Sequence, residues 1–183
     1  MTAALLVIDV QNALDDPVWG RRGQLEMEKA IASLLEKWRE RGDPVIHIRH
    51  DSTDPNSPYR PGQDGNNFKK EVAPLEHEPV VDKRTHSAFI GTDLMQVLED
   101  CGCTDIVVTG GWLENSVEST VRMAGNLGFM VYLPEDCVAS IDRLDRQGKK
   151  WTAEEVHALT LSILDGEYAS ILSSQDLLME ANN

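Results

Sequence analysis

The sequence contains few cysteines. Cys101, Cys103 and Cys137 form an odd and sparse set, which does not suit a disulfide framework. One residue separates the first two, whereas a redox motif has two residues between its cysteines. We therefore expect a protein of the reducing cytoplasm.

Positive charge is also scarce. The chain has 17 Lys and Arg against 31 Asp and Glu, which gives a net charge of −14. Nucleic acids and anionic membrane surfaces are polyanions and repel such a chain. We therefore expect no nucleic-acid partner and no membrane partner, which leaves small molecules and proteins.

Long apolar runs are missing. No stretch approaches the ~20 apolar residues that a membrane-spanning helix needs. The apolar residues 3–8 have no basic segment before them and no small-residue cleavage site after them, so we predict no signal peptide. There is no internal repeat and no low-complexity tract. The length of 183 residues suits one domain, over residues 1–183, with a substantial core.

Apolar strands alternate with amphipathic helices along the chain. This alternation predicts an α/β protein, a three-layer α/β/α sandwich with a mostly parallel, doubly wound, Rossmann-like sheet of six strands. Residues 134–150 are polar and are expected to be irregular. The strands are predicted at residues 3–10, 45–49, 79–82, 106–108, 130–133 and 168–172, the last at an edge of the sheet.

The helices are predicted from apolar residues at helical spacing and from capping residues. The first covers about residues 24–41 and ends at Gly42. Thr92 is the expected N-cap of the second. Thr152 and Glu155 form a capping box that opens a later helix. The apolar stripe predicted for that helix consists of Val156, Leu159 and Ile163.

The most informative stretch joins a buried strand to a helix. Residues 106–108 are a continuous β-branched run, Gly110 and Gly111 follow, and a helical stripe begins at Val117. Backbone N–H groups and the positive end of the helix dipole would point at one spot there. In open α/β sheets, ligands bind at the carboxyl ends of the strands. We therefore expect this turn to stabilise an anion or an oxyanion.

Residues 50–78 interrupt the alternation of strands and helices. The stretch is rich in Pro, Gly, Asn and charge and has no regular periodicity. Segments of this length are usually functional flaps or binding loops, and less often linkers. Because compact elements flank it on both sides, we expect a flap.

Three stretches together resemble the isochorismatase-like hydrolase family, also called the cysteine hydrolase superfamily. They are LLVIDVQN around Asp9, VVDKRTHSAF around Lys83 and VVTGGWLENSVESTVRMAGNLGF around Ser116. An Asp, a Lys and a Cys form the catalytic set of that family, so the resemblance implies catalytic roles for Asp9 and Lys83. Position 116 has Ser where the family has Cys, and Leu113 replaces the usual Thr. The resemblance also implies a homo-oligomer, either a dimer or a larger assembly.

The resemblance gives the turn before Ser116 a function. The family has a cis non-proline peptide bond in this turn, which would lie between Gly111 and Trp112. The backbone N–H groups of Trp112 and Ser116 would then form the oxyanion hole. The Trp112 side chain would narrow the pocket or stack on a flat substrate. Leu113 and His50 complete the expected substrate-binding residues.

Each candidate also has an ordinary structural explanation. A serine at a helix start is commonly an N-cap, a lysine at a strand end is usually solvated, and a tryptophan in a turn often only packs. A carboxylate at the end of an apolar central strand is costly to bury unless it is paired. The presence of Lys83 therefore favours a functional role for Asp9.

His47 and His50 are the histidines that suggest a metal site. Residues three apart on a strand point to opposite faces, so the two cannot share a metal if the strand extends that far. The Asp-x-His spacing of the nicotinamidases in this family is also absent. We therefore predict no metal and no cofactor.

Three functions remain open from the sequence. In the first, Ser116 attacks a small amide or related acyl compound, Asp9 accepts the proton and Lys83 stabilises the developing charge. In the second, Asp9 acts as a general acid on a vinyl ether, as in true isochorismatases, although the nearby Lys83 disfavours a protonated Asp9. In the third, the chain binds a small molecule or a protein without catalysis, because it lacks the family's Cys and Thr.

Overall fold

The computed structural model describes residues 3–180 and has one central sheet between two layers of helices. The strands are β1 (Ala3–Ile8), β2 (Val45–His50), β3 (Val80–Lys83), β4 (Asp105–Gly111), β5 (Met130–Pro134), β6 (Val138–Ala139), β7 (Arg143–Leu144), β8 (Lys150–Trp151) and β9 (Ser170–Leu172). The helices are α1 (Met27–Arg41), α2 (Leu94–Asp100), α3 (Glu118–Leu127), α4 (Ala153–Leu164) and α5 (Ser174–Glu180).

The central sheet is parallel. Its strands follow the order β3-β2-β1-β4-β5-β9, and the short β6 pairs with β4 as a seventh strand. β7 and β8 form a separate antiparallel hairpin. The predicted α/β/α sandwich is therefore confirmed. Residues 134–150, predicted to be irregular, instead contain β6 and one strand of the hairpin.

Alternate residues of β1 face opposite sides of the sheet. Ala4, Leu6 and Ile8 pack with the buried faces of α2, α3 and α4, whereas Leu5 and Val7 pack with α1 and α5. All six residues of β1 are buried, as expected for a parallel strand covered on both faces. Burial on both faces fixes the strand register, because a slip by one residue would exchange the two sets.

Two helix starts differ from the prediction. α1 begins at Met27 rather than near Gln24, because Gln24 has a φ of 49°, a left-handed conformation that an α-helix does not contain. The N-cap position of α2 is Asp93 rather than Thr92, whose hydroxyl donates to a carbonyl oxygen in the preceding turn. Gly42 ends α1 in the left-handed conformation, as predicted.

Helix α4 has the predicted capping box but not the predicted buried stripe. Thr152 and Glu155 bind each other's backbone N–H groups. Leu159 and Ile163, however, are 55% and 45% exposed. The buried residues of this helix are Ala153, His157, Thr160, Leu161 and Leu164. The prediction was wrong because apolar residues occur on two adjacent faces, and spacing alone does not say which face meets the sheet.

The carboxyl ends of the strands lie along one edge of the sheet. At the centre of that edge, the direction in which successive strands are added reverses. β1 has β2 on one side and β4 on the other, so the connections leave the centre of the sheet in opposite directions. Ligands of open α/β sheets bind in the crevice at such a switch point. The residues that follow β1 and β4 therefore lie where a ligand is expected.

Within the described range, no helix combines the length and the apolar character that crossing a membrane requires.

Candidate active site

Asp9 lies directly after β1 at the switch point. Its φ of 55° is in the left-handed region, which non-glycine residues seldom occupy and which costs free energy. A hydrogen bond from its backbone N–H to Ile48 O (2.9 Å) ties this conformation to β2. Its side chain is buried, and Oδ2 accepts a hydrogen bond from Lys83 Nζ at 2.8 Å. Such strain is typical of functional sites.

Lys83 is the last residue of β3, and its side chain is fully buried. Besides Asp9, its Nζ lies 3.2 Å from Ser116 Oγ, 3.1 Å from Thr85 O and 3.4 Å from His50 Nδ1. A buried ammonium group is costly unless paired and hydrogen-bonded, and this one is both. The structure therefore brings the three predicted catalytic residues together around one nitrogen atom.

Ser116 lies in a single π-helical turn, Leu113–Val117, that joins β4 to α3. π-helical turns are frequent at functional sites. The Ser116 carbonyl accepts a hydrogen bond from Thr120 Oγ1 (2.8 Å). The N-cap position of α3 is Val117, so Ser116 does not have the ordinary role of a helix N-cap. Its hydroxyl instead faces Lys83.

The two glycines before Trp112 are required by close packing. A Cβ atom on Gly110 would lie 2.0 Å from Ile8 O, and the φ of Gly110 is 121°. A Cβ atom on Gly111 would lie 2.8 Å from a methyl carbon of Leu14. The peptide bond between Gly111 and Trp112 is cis. The turn that carries Ser116 is therefore held against the end of β1.

An aromatic cluster borders the charged residues. The ring of Trp19 lies 6.0 Å, centre to centre, from the rings of both Tyr59 and Trp112. The Tyr59 ring lies 5.6 Å from the His50 ring, edge to face. We call Trp19, His50, Tyr59 and Trp112 the aromatic cluster. The cluster contacts the charged residues through His50, whose Nδ1 lies 3.4 Å from Lys83 Nζ.

His50 is neutral near pH 7. Burial lowers the pKa of its imidazole, and the positive charge of Lys83 lowers it further. A neutral imidazole has one nitrogen that accepts a hydrogen bond, and Nδ1 is the nitrogen near Lys83. His50 therefore contributes an acceptor to the site and no charge.

The three cysteines do not supply the missing thiol. Cys101 is exposed, and Cys103 packs in the core beneath the sheet. Cys137 is fully buried, and burial raises the pKa of its thiol far above the usual value. The only hydroxyl or thiol that contacts Lys83 within residues 3–180 is that of Ser116.

The geometry agrees with comparisons to known proteins. A family model of the isochorismatase domain matches residues 3–163. The chain belongs to the isochorismatase family. The family consists of hydrolases, so the residues around Lys83 are the candidate active site of an isochorismatase-family hydrolase.

Three relatives illustrate the range of similarity. The Bacillus subtilis (strain 168) isochorismatase family protein YrdC is 38% identical over 175 residues, which cover 96% of this chain and 94% of that protein. The streptothricin hydrolase of Streptomyces noursei is 34% identical over 142 residues, 76% of this chain and 50% of that protein. A crystal structure of an isochorismatase-family hydrolase from Chromobacterium violaceum ATCC 12472 has a TM-score of 0.96 and 52% identity, over 100% of this chain and 94% of that one.

In this isochorismatase-family chain, Leu113 is part of the apolar core, and its role in substrate binding stays a prediction. Its side chain is 0% exposed and packs in the apolar cluster beneath the sheet, together with Val117 and Val121. Trp112, its neighbour, packs on the opposite side of the sheet in the cluster that contains Leu14. The sequence suggested both residues for substrate binding, but only Trp112 belongs to the aromatic cluster.

Sequence reasoning missed the polar residues that hold the flap. Gln11 Nε2 donates to His50 O (3.2 Å) and Asn66 O (2.9 Å), and its Oε1 accepts from His50 N (2.8 Å). Asn66 Nδ2 donates to Tyr59 O at 3.0 Å. These bonds fasten the flap to the ends of β1 and β2. The sequence feature that could have indicated these residues is Gln11, a polar residue directly after the predicted apolar strand.

His47 and His50 have separate environments. His47 Nε2 lies 3.0 Å from Glu78 Oε2, and its ring contacts Phe68, whereas His50 faces Lys83 and Tyr59. Among residues 3–180, no group of three or more His, Cys, Asp and Glu side chains is arranged to hold a metal ion.

A groove of about 610 Å³ lies away from this site, near the start of α1. Several of its charged residues pair with one another: Lys69 Nζ lies 2.7 Å from Glu28 Oε1 and 2.6 Å from Asp15 Oδ2, and Arg22 binds Glu28. This network is a surface feature of the fold. The candidate active site consists of the strained Asp9 and its buried partners, which do not line this groove.

Proposed function

We propose that the chain hydrolyses a small amide or a related acyl compound by means of Asp9, Lys83 and Ser116. The observation that carries the proposal is the position of Lys83 Nζ, within hydrogen-bond distance of both Asp9 Oδ2 and Ser116 Oγ in a buried site. A nucleophile and a base that share an orienting partner are typical of covalent catalysis. The similarity to the streptothricin hydrolase of Streptomyces noursei also supports a hydrolase of this kind.

In the first half of the proposed reaction, Ser116 Oγ attacks the carbonyl carbon and its proton passes to Asp9. The carbonyl π electrons move to oxygen, and the backbone N–H groups of Trp112 and Ser116 are the proposed donors to that oxyanion. The carbon–nitrogen bond then breaks, and Asp9 returns the proton to the departing amine. An ester between the acyl group and Ser116 remains.

In the second half, a water molecule attacks the ester carbonyl and Asp9 accepts its proton. The bond between the acyl carbon and Ser116 Oγ breaks, and the serine hydroxyl regains a proton from Asp9. Throughout, Lys83 stabilises negative charge on Ser116 Oγ because its ammonium group is already within reach. Lys83 itself neither gains nor loses a proton in this scheme.

The same contact bears on the second function suggested by the sequence. Hydrolysis of a vinyl ether requires Asp9 to carry a proton at rest. In this structure Asp9 Oδ2 instead lies 2.8 Å from Lys83 Nζ, and the two side chains form a buried ion pair. This ion pair supports Asp9 as a base, and we propose amide or acyl hydrolysis over ether hydrolysis.

A panel of small amides, esters and isochorismate tests the proposal with three forms of the protein: the natural chain, Ser116→Ala and Ser116→Cys. We expect the natural chain to turn over an amide or ester and Ser116→Ala to be inactive. Ser116→Cys is expected to be at least as active, because a thiol ionises more readily than a hydroxyl. Unchanged turnover of isochorismate by Ser116→Ala would contradict the proposal. Binding without turnover by all three forms would favour a non-catalytic protein.

We also propose a homo-oligomer in the cytoplasm with a small-molecule substrate. The family resemblance and the acidic, cysteine-poor composition support this proposal. Sedimentation velocity of the purified chain tests the assembly, and a mass equal to one chain at all concentrations would contradict it.

A further inference from the structure

Two unpaired hydrogen-bond donors lie beside the candidate active site. The Tyr59 hydroxyl and the Trp112 indole Nε1 are buried and have no hydrogen-bond partner within residues 3–180. Buried polar groups without partners are rare, because each loses its bonds to water and gains none. Asp9 Oδ1 is also unpaired, but the proposed reaction gives it a role as proton acceptor. The two donors have no role in that reaction.

Both donors belong to the aromatic cluster. Trp19 contacts the rings of Tyr59 and Trp112, and His50 connects Tyr59 to Lys83. Tyr59 is 5% exposed and Trp112 is 4% exposed. The cluster therefore contains two buried donors and contacts Lys83 through His50.

Both donors are also held in place by their backbones. The Trp112 carbonyl accepts hydrogen bonds from the N–H groups of Asn115 (3.1 Å) and Val117 (3.2 Å). The Tyr59 carbonyl accepts one from Asn66 Nδ2. Burial, together with the negative charge of Asp9, raises the pKa of Tyr59, so its hydroxyl keeps its proton at neutral pH. The backbone of each residue is therefore anchored, and each side chain keeps a proton that it can donate.

The charges near these donors cancel. Lys83 and Asp9 form an ion pair, and His50 is neutral. Arg22, whose charge also acts on Tyr59, is paired with Asp15 and Glu28. An ionic substrate group placed against the aromatic cluster would lose its hydration without gaining an opposite charge that is free to bind it. An uncharged group that accepts hydrogen bonds would satisfy both donors.

On the basis of the proposed function, we infer that the substrate is a neutral acyl compound whose non-reacting part carries a hydrogen-bond-accepting oxygen, and that Tyr59 and Trp112 select it. A hydrocarbon in the same place would leave both donors unpaired, which is the condition under which a polar site discriminates strongly. These two side-chain donors act on substrate choice and not on the chemical step.

Calorimetric binding of matched amides tests this inference independently of turnover. Levulinamide and isocaproamide differ mainly by a ketone oxygen in place of a methyl group, and methoxypropanamide and pentanamide differ by an ether oxygen in place of a methylene group. The titrations use the full chain with Ser116→Ala, so the amides stay intact. Tyr59→Phe removes the hydroxyl in this background. Tyr168→Phe makes the same change where Arg122 packs on the ring and serves as the matched control.

We expect the Ser116→Ala protein to bind the oxygen-bearing member of each pair more tightly. Tyr59→Phe should reduce that preference by about ten-fold, which corresponds to one hydrogen bond, and Tyr168→Phe should leave it unchanged. Trp112→Phe, which keeps a ring but removes the N–H group, should also reduce it.

Equal affinity for both members, no binding of either, or a preference that survives Tyr59→Phe would overturn the inference. The proposed function fails on a different result. The binding preference without turnover by the natural chain contradicts hydrolysis and leaves the selection by Tyr59 intact. Turnover without the binding preference supports hydrolysis and overturns the selection by Tyr59.

Discussion

Lys83 Nζ lies 2.8 Å from Asp9 Oδ2 and 3.2 Å from Ser116 Oγ, so one buried ammonium group connects the end of β1 with the turn after β4. Within residues 3–180, no other side chain is hydrogen-bonded to both residues. The three residues come from distant parts of the sequence, and the parallel sheet brings their strand ends to one edge. The charge of Lys83 therefore has both a structural and a proposed chemical role.

Replacing Lys83 by methionine should destabilise the protein and abolish turnover. The substitution keeps the length of the side chain but leaves Asp9 as an uncompensated buried charge, which costs about 3–5 kcal/mol. Urea denaturation of the natural chain and Lys83→Met measures the difference. Lys29→Met is the matched control, because Lys29 is exposed on α1 and its ion pair contributes about 0–1 kcal/mol.

A second substitution separates the charge effect from packing. Adding Asp9→Asn to Lys83→Met removes the unpaired charge, so part of the lost free energy of unfolding should return. A double variant that is less stable than Lys83→Met alone would show that the ion pair is not the source of the effect.

Replacing Gly110 by alanine should be far more costly than the same change at Gly148. Both residues have positive φ, 121° and 82°, so alanine at either position would have a strained backbone. Only at Gly110 would the new Cβ meet another atom, Ile8 O at 2.0 Å. We expect Gly110→Ala to lower the free energy of unfolding by more than about 3 kcal/mol and Gly148→Ala by about 1 kcal/mol. Equal losses would contradict the close packing of β4 on β1.

Stability should fall in acid because of Glu78. Burial opposes ionisation of this carboxyl group, but hydrogen bonds from Arg39 and from Leu75 N outweigh it and lower its pKa to about 2. The unfolded chain binds the proton more tightly, near a pKa of 4.5, so the stabilisation is complete above that pH and is lost between about pH 5 and 2. Burial also lowers the pKa of His47 in the folded chain, so the unfolded chain binds this proton more tightly as well. Protonation of His47 therefore also reduces stability as the pH is lowered.

Urea denaturation at pH 7 and pH 3 measures this effect. Glu78→Gln should reduce the free energy of unfolding by roughly 2–3 kcal/mol at pH 7 and by less at pH 3. Glu36→Gln, at an exposed residue of α1, is the matched control for removing a carboxylate. A Glu78→Gln penalty that does not shrink in acid would show that the carboxylate charge is not what stabilises the fold.

Leu113 should contribute to stability and not to substrate binding. Leu113→Ala would create a cavity in the apolar cluster and should cost about 2–5 kcal/mol. The dissociation constant for levulinamide in the Ser116→Ala background should stay unchanged. Leu25→Ala, at a residue that is 77% exposed, is the control and should change stability by less than about 0.5 kcal/mol. Weaker binding of levulinamide by the Leu113→Ala variant would show that Leu113 contributes to substrate binding, as the sequence predicts.

The sequence was sufficient for the sheet and for the charged part of the site. Continuous apolar runs such as β1 occur mainly in buried parallel strands, and parallel strands bring their carboxyl ends together. Asp9 and Lys83 stand at such ends, so their proximity follows from the fold. Helix faces were less predictable: the stripe of Leu159 and Ile163 is exposed, because two adjacent faces of α4 are apolar and tertiary packing selects between them.

Two members of the aromatic cluster, Trp19 and Tyr59, could not be predicted. Trp19 and Tyr59 belong to segments without helical or strand periodicity, and no local pattern indicates what such residues contact. Their placement depends on long-range hydrogen bonds, such as that from Asn66 Nδ2 to Tyr59 O and those from Gln11 to the flap. Bonds of this kind join residues far apart in the chain, so no local spacing in the sequence indicates them.

The central claim is that Ser116 forms a covalent bond with the acyl group. The most direct measurement is intact-protein and peptide mass spectrometry after rapid acid quenching of the natural chain with a substrate that it turns over. We predict an increase in mass equal to the acyl group on the peptide that contains Ser116, and none with Ser116→Ala. Full turnover without any adduct, and retained by Ser116→Ala, would contradict the account.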